Sequence, residues 1–172
     1  MSEKHLAVVV LAAGEGTRMK SAKPKVMHEI AGLPLLGHAL ATASSLGAAH
    51  VIPVIRYKKE LISEYIRAFY PGVTIAEQDD VPGTGRAVEC ALDSLPADFN
   101  GAVIVTSGDV PLLDVPTLES LLEAHLDGKF AATILTAIVE DPTGYGRVIR
   151  SNDGKFIEII EDRDADAEQL EI

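Results

Sequence analysis

At 172 residues, with 47% apolar and 24% charged side chains, the chain has the balance of a folded domain rather than a disordered one. Its formal charge of −11 opposes sequence-independent binding to nucleic acid or an anionic membrane. One cysteine, Cys90, excludes an internal disulfide and a cysteine-based metal cage, and suits a reducing compartment.

The apolar run Leu6–Ala13 is rich in valine and opens into a glycine loop, which fits a buried strand better than a secretory signal. No run reaches the length of a membrane-spanning helix. Leu35–Leu46, opened by Pro34 and closed by Gly47, is the first long helix. His50–Ile55 follows as a strand, and Lys59–Phe69 carries Leu61, Ile62, Tyr65, Ile66 and Phe69 at helical spacing. Pro71-Gly72 breaks the chain before a strand over Val73–Glu77, a helix over Thr84–Ser94 and a strand over Ala102–Thr106. A helix over Pro116–His125 and a longer strand over Ala131–Val139 come next. Arg147–Arg150 and Phe156–Ile160 flank the turn sequence Ser151-Asn152-Asp153-Gly154, which predicts an antiparallel hairpin. Short β-branched runs alternating with helices predict one doubly wound α/β domain, a mostly parallel sheet flanked by helices. Ligands of such sheets bind outside the carboxyl ends of the strands, so the loops there are where chemistry is expected.

The first of these loops is Leu11-Ala12-Ala13-Gly14-Glu15-Gly16-Thr17-Arg18-Met19. Two glycines one residue apart let successive backbone N–H groups face an anion. The loop is not a P-loop, because Arg18-Met19 stands where Lys-Ser/Thr is required. It is a poor dinucleotide fingerprint as well, because Met19 stands where Gly or Ala is required. Arg18 and Lys25 add a bidentate guanidinium and a compact ammonium, a pair able to neutralise a triphosphate; the alternative is an ordinary strand-to-helix turn with exposed basic residues. After the third strand, Gln78 and Pro82-Gly83-Thr84-Gly85 could meet a base edge and ring, or Thr84 could simply cap a helix. After the fourth, Ser107-Gly108-Asp109 places a carboxylate where it could hold Mg²⁺, or cap a turn before Pro111. Charge is distributed unevenly. Residues 1–25 carry five basic and two acidic side chains, whereas residues 158–172 carry seven acidic ones against Arg163.

The glycine loop, followed by Pro24-Lys25, resembles the signature of sugar nucleotidyltransferases. More narrowly, the chain resembles over its whole length the uridyltransferase domain of the bacterial bifunctional N-acetylglucosamine-1-phosphate uridyltransferase/glucosamine-1-phosphate acetyltransferases. The resemblance implies the Rossmann-like nucleotide-diphospho-sugar transferase fold. It also implies roles: Leu11, Ala12, Ala13 and Gly14 beside base and ribose, Arg18 and Lys25 as catalytic groups on the phosphates, and Gln78, Gly83 and Thr84 on uracil. Asp109 would be the ligand of Mg²⁺ and Gly108 part of the substrate site. Gly146, within Gly144-Tyr145-Gly146-Arg147, would meet the amino sugar by its backbone, and Glu161 the sugar hydroxyls. Arg86, Val81 and Ser107 depart from residues common in the family, namely histidine, glutamine and tyrosine.

The implied reaction joins UTP and N-acetylglucosamine 1-phosphate into UDP-N-acetylglucosamine and pyrophosphate, in the cytoplasm, for cell-wall peptidoglycan and lipopolysaccharide synthesis. The resemblance further implies that the chain is the nucleotide-binding part of a longer enzyme. That enzyme would be homotrimeric, would also acetylate glucosamine 1-phosphate from acetyl-CoA through a left-handed β-helix, and would carry two further site asparagines beyond Ile172. Alternatives are a nucleotidyltransferase for another sugar phosphate or nucleotide, and a non-catalytic nucleotide- or sugar-nucleotide-binding module.

Overall fold

Seven consecutive apolar residues leave β1 (Leu6–Ala12) no polar face, and the strand is almost wholly buried. Such a strand suits the middle of a parallel sheet, covered on both sides. The computed structural model describes residues 6–16 and 19–172. They form two compact units, which meet in sequence at Phe130 and Ala131.

In the first unit, β1 is followed by a 3₁₀ turn, Lys25–Met27, and a small hairpin of β2 (Glu29–Ile30) and β3 (Leu33–Pro34). Then come α1 (Leu35–Ser45), β4 (His50–Ile55), α2 (Lys59–Phe69), β5 (Ala76–Glu77), α3 (Thr84–Leu92), β6 (Ala102–Ser107) and α4 (Val115–Gly128). Asp114 caps α4, its side chain accepting from the Thr117 backbone N–H at 3.0 Å, and Pro116 lies in the first turn. The four longer-range strands are parallel in the order β5-β4-β1-β6. Of the expected strand Val73–Glu77, only Ala76 and Glu77 join the ladder.

Alternation along β1 sorts its side chains between two core layers. Leu6, Val8, Val10 and Ala12 pack with Leu36 and Leu40 of α1, Ile62 and Ile66 of α2, and Leu118 and Leu122 of α4. Val9 and Ala13 pack on the opposite face with Ile52, Val54 and the small Ala87 and Ala91 of α3. Burial of each large aliphatic side chain contributes about 1.5–3 kcal/mol, so this two-sided packing fixes the strand ends on which the loops stand.

In the second unit, β7 (Arg147–Arg150) and β8 (Phe156–Ile160) form the expected antiparallel hairpin, with the Ser151 N–H bonded to the Lys155 carbonyl at 2.9 Å. Residues 131–139 do not form the expected strand. Ile134, Leu135, Ile138 and Val139 are exposed, and among the described residues no strand pairs with them. A β-branched run becomes a strand only where a neighbour accepts and donates its backbone hydrogen bonds.

Candidate active site

The chain passes from β1 to β4 and β5 on one side, then returns to β6 on the other. That reversal places the topological switch point between β1 and β6, where open α/β sheets bind ligands. The loops leaving these two strands run side by side. The Gly108 N–H donates to the Leu11 carbonyl at 2.8 Å, and a Cβ on Gly108 would stand 3.0 Å from that oxygen and 3.3 Å from Leu36 Cδ1. Gly108 is thus buried against β1, while its neighbours Ser107 and Asp109 line the cleft above.

Lys25 reaches this cleft because its neighbours are anchored. Pro24, Val26 and Met27 are buried in the core, leaving Lys25 between them as the residue that faces out. The Lys58 ammonium donates to the Ala22 carbonyl at 2.5 Å, and Lys23 pairs with Glu29 at 2.8 Å, so both flanks of the segment are tied down. Lys25 Nζ lies 2.5 Å from Asp109 Oδ2, and Ser107 Oγ donates to Asp109 Oδ1 at 2.6 Å. Partial burial pushes the Asp109 carboxyl up, but the Lys25 and Ser107 hydrogen bonds outweigh it and hold the group below the usual aspartate range. Asp109 is accordingly an anion at neutral pH. Arg18, the other expected phosphate ligand, and Thr17 lie outside the described residues.

The other flank of the cleft is built on β5 and α3. Gln78 is buried, and its Nε2 donates to the Val81 carbonyl at 2.9 Å and the Gly83 carbonyl at 3.1 Å. Both partners are acceptors, which fixes the orientation of the amide. Among the described residues nothing donates to Gln78 Oε1. The same loop is held from outside by Asp79, whose carboxylate accepts from the Val81 N–H at 3.1 Å and from the Arg86 Nε and Nη2 at 3.0 and 2.6 Å. Arg86 also pairs with Glu89 at 2.9 Å. The Arg86 guanidinium, donating to Asp79, holds that carboxyl below its usual range. Thr84 does not cap α3. Gly83 occupies the cap position at φ 118°, ψ 149°, a conformation open almost only to glycine.

These loops enclose a cleft of about 730 Å³, within the range of small-molecule sites. Leu11, Ala12, Ala13, Gly14, Lys25, Gln78, Gly83, Thr84 and Asp109 all line it, so every described residue of the first unit expected there is present except Gly108. Arg56 and Met19 line it too and were not anticipated. Arg56 belongs to no motif; its only signal in the sequence is its place immediately after β4 at the carboxyl end of the sheet. Among the described residues no group of three or more His, Cys, Asp or Glu could hold a metal, which leaves Asp109 as the one carboxylate lining the cleft.

Gly146 and Glu161 belong to the second unit. A Cβ on Gly146 would stand 3.1 Å from Ile159 Cγ2, so the glycine lets β7 close on β8. Beside it the buried Arg147 donates to the Pro142 and Tyr145 carbonyls and pairs with Asp162 at 3.4 Å. Glu161 is exposed and leads into the 3₁₀ turn Asp162–Asp164.

A family model for the MobA-like NTP transferase domain matches residues 8–152. The chain belongs to that family. This MobA-like NTP transferase domain is also 53% identical over 167 residues to the bifunctional protein GlmU of Clavibacter sepedonicus, covering 97% of the chain and 34% of that relative. With the bifunctional protein GlmU of Kineococcus radiotolerans it shares 54% over 166 residues, 96% of the chain and 34% of the relative. It therefore spans about a third of the length of these curated relatives, as the 34% coverage gives. Among solved structures, HddC from Yersinia pseudotuberculosis complexed with GMP-PN matches with a TM-score of 0.65 and 26% identity, covering 90% of the chain and 68% of that protein. The mostly parallel sheet flanked by helices is thus the Rossmann-like fold of nucleotidyltransferases, as the sequence predicts. No helix among the described residues is long and apolar enough to cross a membrane.

Proposed function

We propose that this domain transfers a uridylyl group from UTP to N-acetylglucosamine 1-phosphate, releasing pyrophosphate and forming UDP-N-acetylglucosamine. The observation that carries this reading is the convergence on one cleft of an acceptor-bearing Gln78 loop, a glycine loop and the Lys25–Asp109 pair. The likeness to bacterial GlmU proteins over nearly the whole chain supports it. Gln78 has spent its N–H donors on Val81 and Gly83, so it can offer a base only an acceptor. That suits the N3–H of uracil; cytosine, whose N3 is itself an acceptor, can meet the same oxygen only through its N4 amino group, at a different position on the ring. Leu11, Ala12, Ala13 and Gly14 place backbone against base and ribose, Gly83 and Thr84 flank the base, and Gly108 sets Asp109 on its strand end.

The attacking group is a phosphate oxygen that is already anionic, so the protein needs no nucleophile or general base. A bond forms from that oxygen to the α-phosphorus as the bond to the bridging oxygen breaks and pyrophosphate leaves with its electrons. Lys25 and Arg18 stabilise charge on the leaving pyrophosphate and hold the chain of phosphates in line. The donor set at Asp109 fits Mg²⁺: one ionised carboxylate with a hydroxyl beside it suits a hard cation that takes few protein oxygens and completes its shell with phosphates and water. Bound there, Mg²⁺ supplies charge neutralisation to the substrate phosphates. Gly146 and Glu161 serve the amino sugar in this reading. A cytoplasmic role in cell-wall precursor supply, acetyl transfer from acetyl-CoA and a homotrimer are proposed for a longer protein that contains this domain.

The test is pyrophosphate release by the purified chain with Mg²⁺, each of UTP, CTP, GTP and dTTP, and either N-acetylglucosamine 1-phosphate or glucose 1-phosphate. Release confined to UTP and the amino sugar is expected. Calorimetric UTP binding without release, by this chain and by a longer one, would overturn the catalytic reading in favour of a binding module.

A further inference from the structure

Both oxygens of the Asp109 carboxylate are engaged by the chain itself, Oδ2 by the Lys25 ammonium at 2.5 Å and Oδ1 by Ser107 Oγ at 2.6 Å. The backbone and Cβ of Lys25 are anchored by their surroundings, while its half-exposed side chain reaches across to Asp109. Its neighbours Pro24, Val26 and Met27 are buried, and the Gly16 backbone is packed against its Cβ. A divalent cation approaching this carboxylate meets a positive charge already seated on it. It must displace a charge-assisted hydrogen bond and then stand beside the ammonium it has displaced.

We infer that Lys25 is a built-in counter-cation that keeps divalent metal off Asp109 until the phosphates of a nucleotide draw the ammonium away. The inference rests on the reading of the cleft as a metal-assisted nucleotidyl transfer site, and it gives Lys25 a task before chemistry as well as during it. A triphosphate offers the ammonium several anionic oxygens in exchange for one carboxylate. Lys25 can therefore leave Asp109 at little cost only when that ligand is present, and the carboxylate it vacates then faces a cation that the same phosphates help to hold. Without nucleotide the exchange has no compensating partner. The pairing thus links metal affinity to nucleotide occupancy through one side chain. The two sites share an energy even though no loop has to move.

The experiment is a Mn²⁺ titration of the full 172-residue chain without nucleotide, followed by electron paramagnetic resonance. Wild type is expected to bind weakly. Lys25→Met and Lys25→Gln are each expected to bind Mn²⁺ about tenfold or more tightly, since both remove the charge and the methionine also removes the occupying donor. Adding Asp109→Asn to either should erase the gain and so locate it at this carboxylate. The two Lys25 variants differ in polarity, so one remains informative if the other fails to give a cooperative melt. Equal Mn²⁺ affinity in wild type and in the folded Lys25 variants overturns the inference, as does a gain that survives Asp109→Asn. Pyrophosphate release by wild type is measured in parallel. Release with equal affinities would sink the counter-cation role alone, whereas tightened Mn²⁺ binding without release by this chain and by a longer one would sink the transfer reading and leave the role of Lys25 standing.

Discussion

Gly16 lies so close to Lys25 that a Cβ built on it would fall 2.5 Å from Lys25 Cβ. Its φ of +64° also lies in the left-handed region. This glycine is therefore a support for Lys25. Gly16→Ala is expected to push Lys25 away from Asp109 and to cost roughly 1–2 kcal/mol from backbone conformation alone. Urea denaturation reads the stability loss and calorimetry reads a weakened affinity for UTP; an unchanged midpoint and affinity would refute the supporting role.

Asp109 has a defined pH signature. Burial raises its pKa, the Lys25 and Ser107 hydrogen bonds lower it more, and the folded value ends below that of an ordinary aspartate. A group depressed on folding contributes stability above its unfolded pKa, about 3.9, and loses that contribution as pH falls through the folded value. The stability gap between wild type and Asp109→Asn is expected to be flat from neutral pH to about pH 5 and to close only in stronger acid. Chemical denaturation at a series of pH values measures it, and a gap closing between pH 6 and 7 would contradict the assignment.

The Asp79–Arg86 pair acts on the Gln78 loop from the solvent side. Both side chains are partly exposed, so Arg86→Ala is expected to cost little stability. A small loss in loop positioning would raise KM for UTP by roughly two- to fivefold with kcat unchanged. Asp79→Ala should exceed it, because Asp79 also accepts from the Val81 N–H. A double-mutant cycle on KM should show strong non-additivity; additive effects would separate the pair from the loop.

Gln78→Ala removes two donors to loop carbonyls and the acceptor that remains. The expected loss is about 1–3 kcal/mol in the preference for UTP over CTP, read as the ratio of kcat/KM values. A preserved ratio would assign base reading to another group.

Much of this architecture is written locally in the chain. The unbroken apolar run Leu6–Ala12, rich in valine and closed by a glycine loop, suits a central strand, and Pro34 and Gly47 bound α1 as their backbone preferences require. The Ser151–Gly154 turn specifies its own hairpin. Residues 131–139 carry the same β-branched character without becoming a strand, because pairing depends on a neighbour that a local pattern cannot see. The site divides in the same way. Gly14, Lys25, Gln78 and Asp109 stand in recognisable loops, but the bond from Lys25 to Asp109 exists only because parallel pairing sets β1 beside β6. Arg56 reaches the cleft by topology alone, with no spacing to announce it.

The strand order β5-β4-β1-β6 puts Gln78 and α3 on one flank of β1 and Asp109 on the other. Each flank has its own network of hydrogen bonds, Gln78 and Asp79 with the β5–α3 loop on one side and Lys25 and Ser107 with Asp109 on the other. Substitutions without shared partners combine additively. The nucleotide alphabet accepted by such a domain can therefore drift, or be redesigned, by rewriting the segment from Gln78 to Arg86 while the reacting end is inherited unchanged.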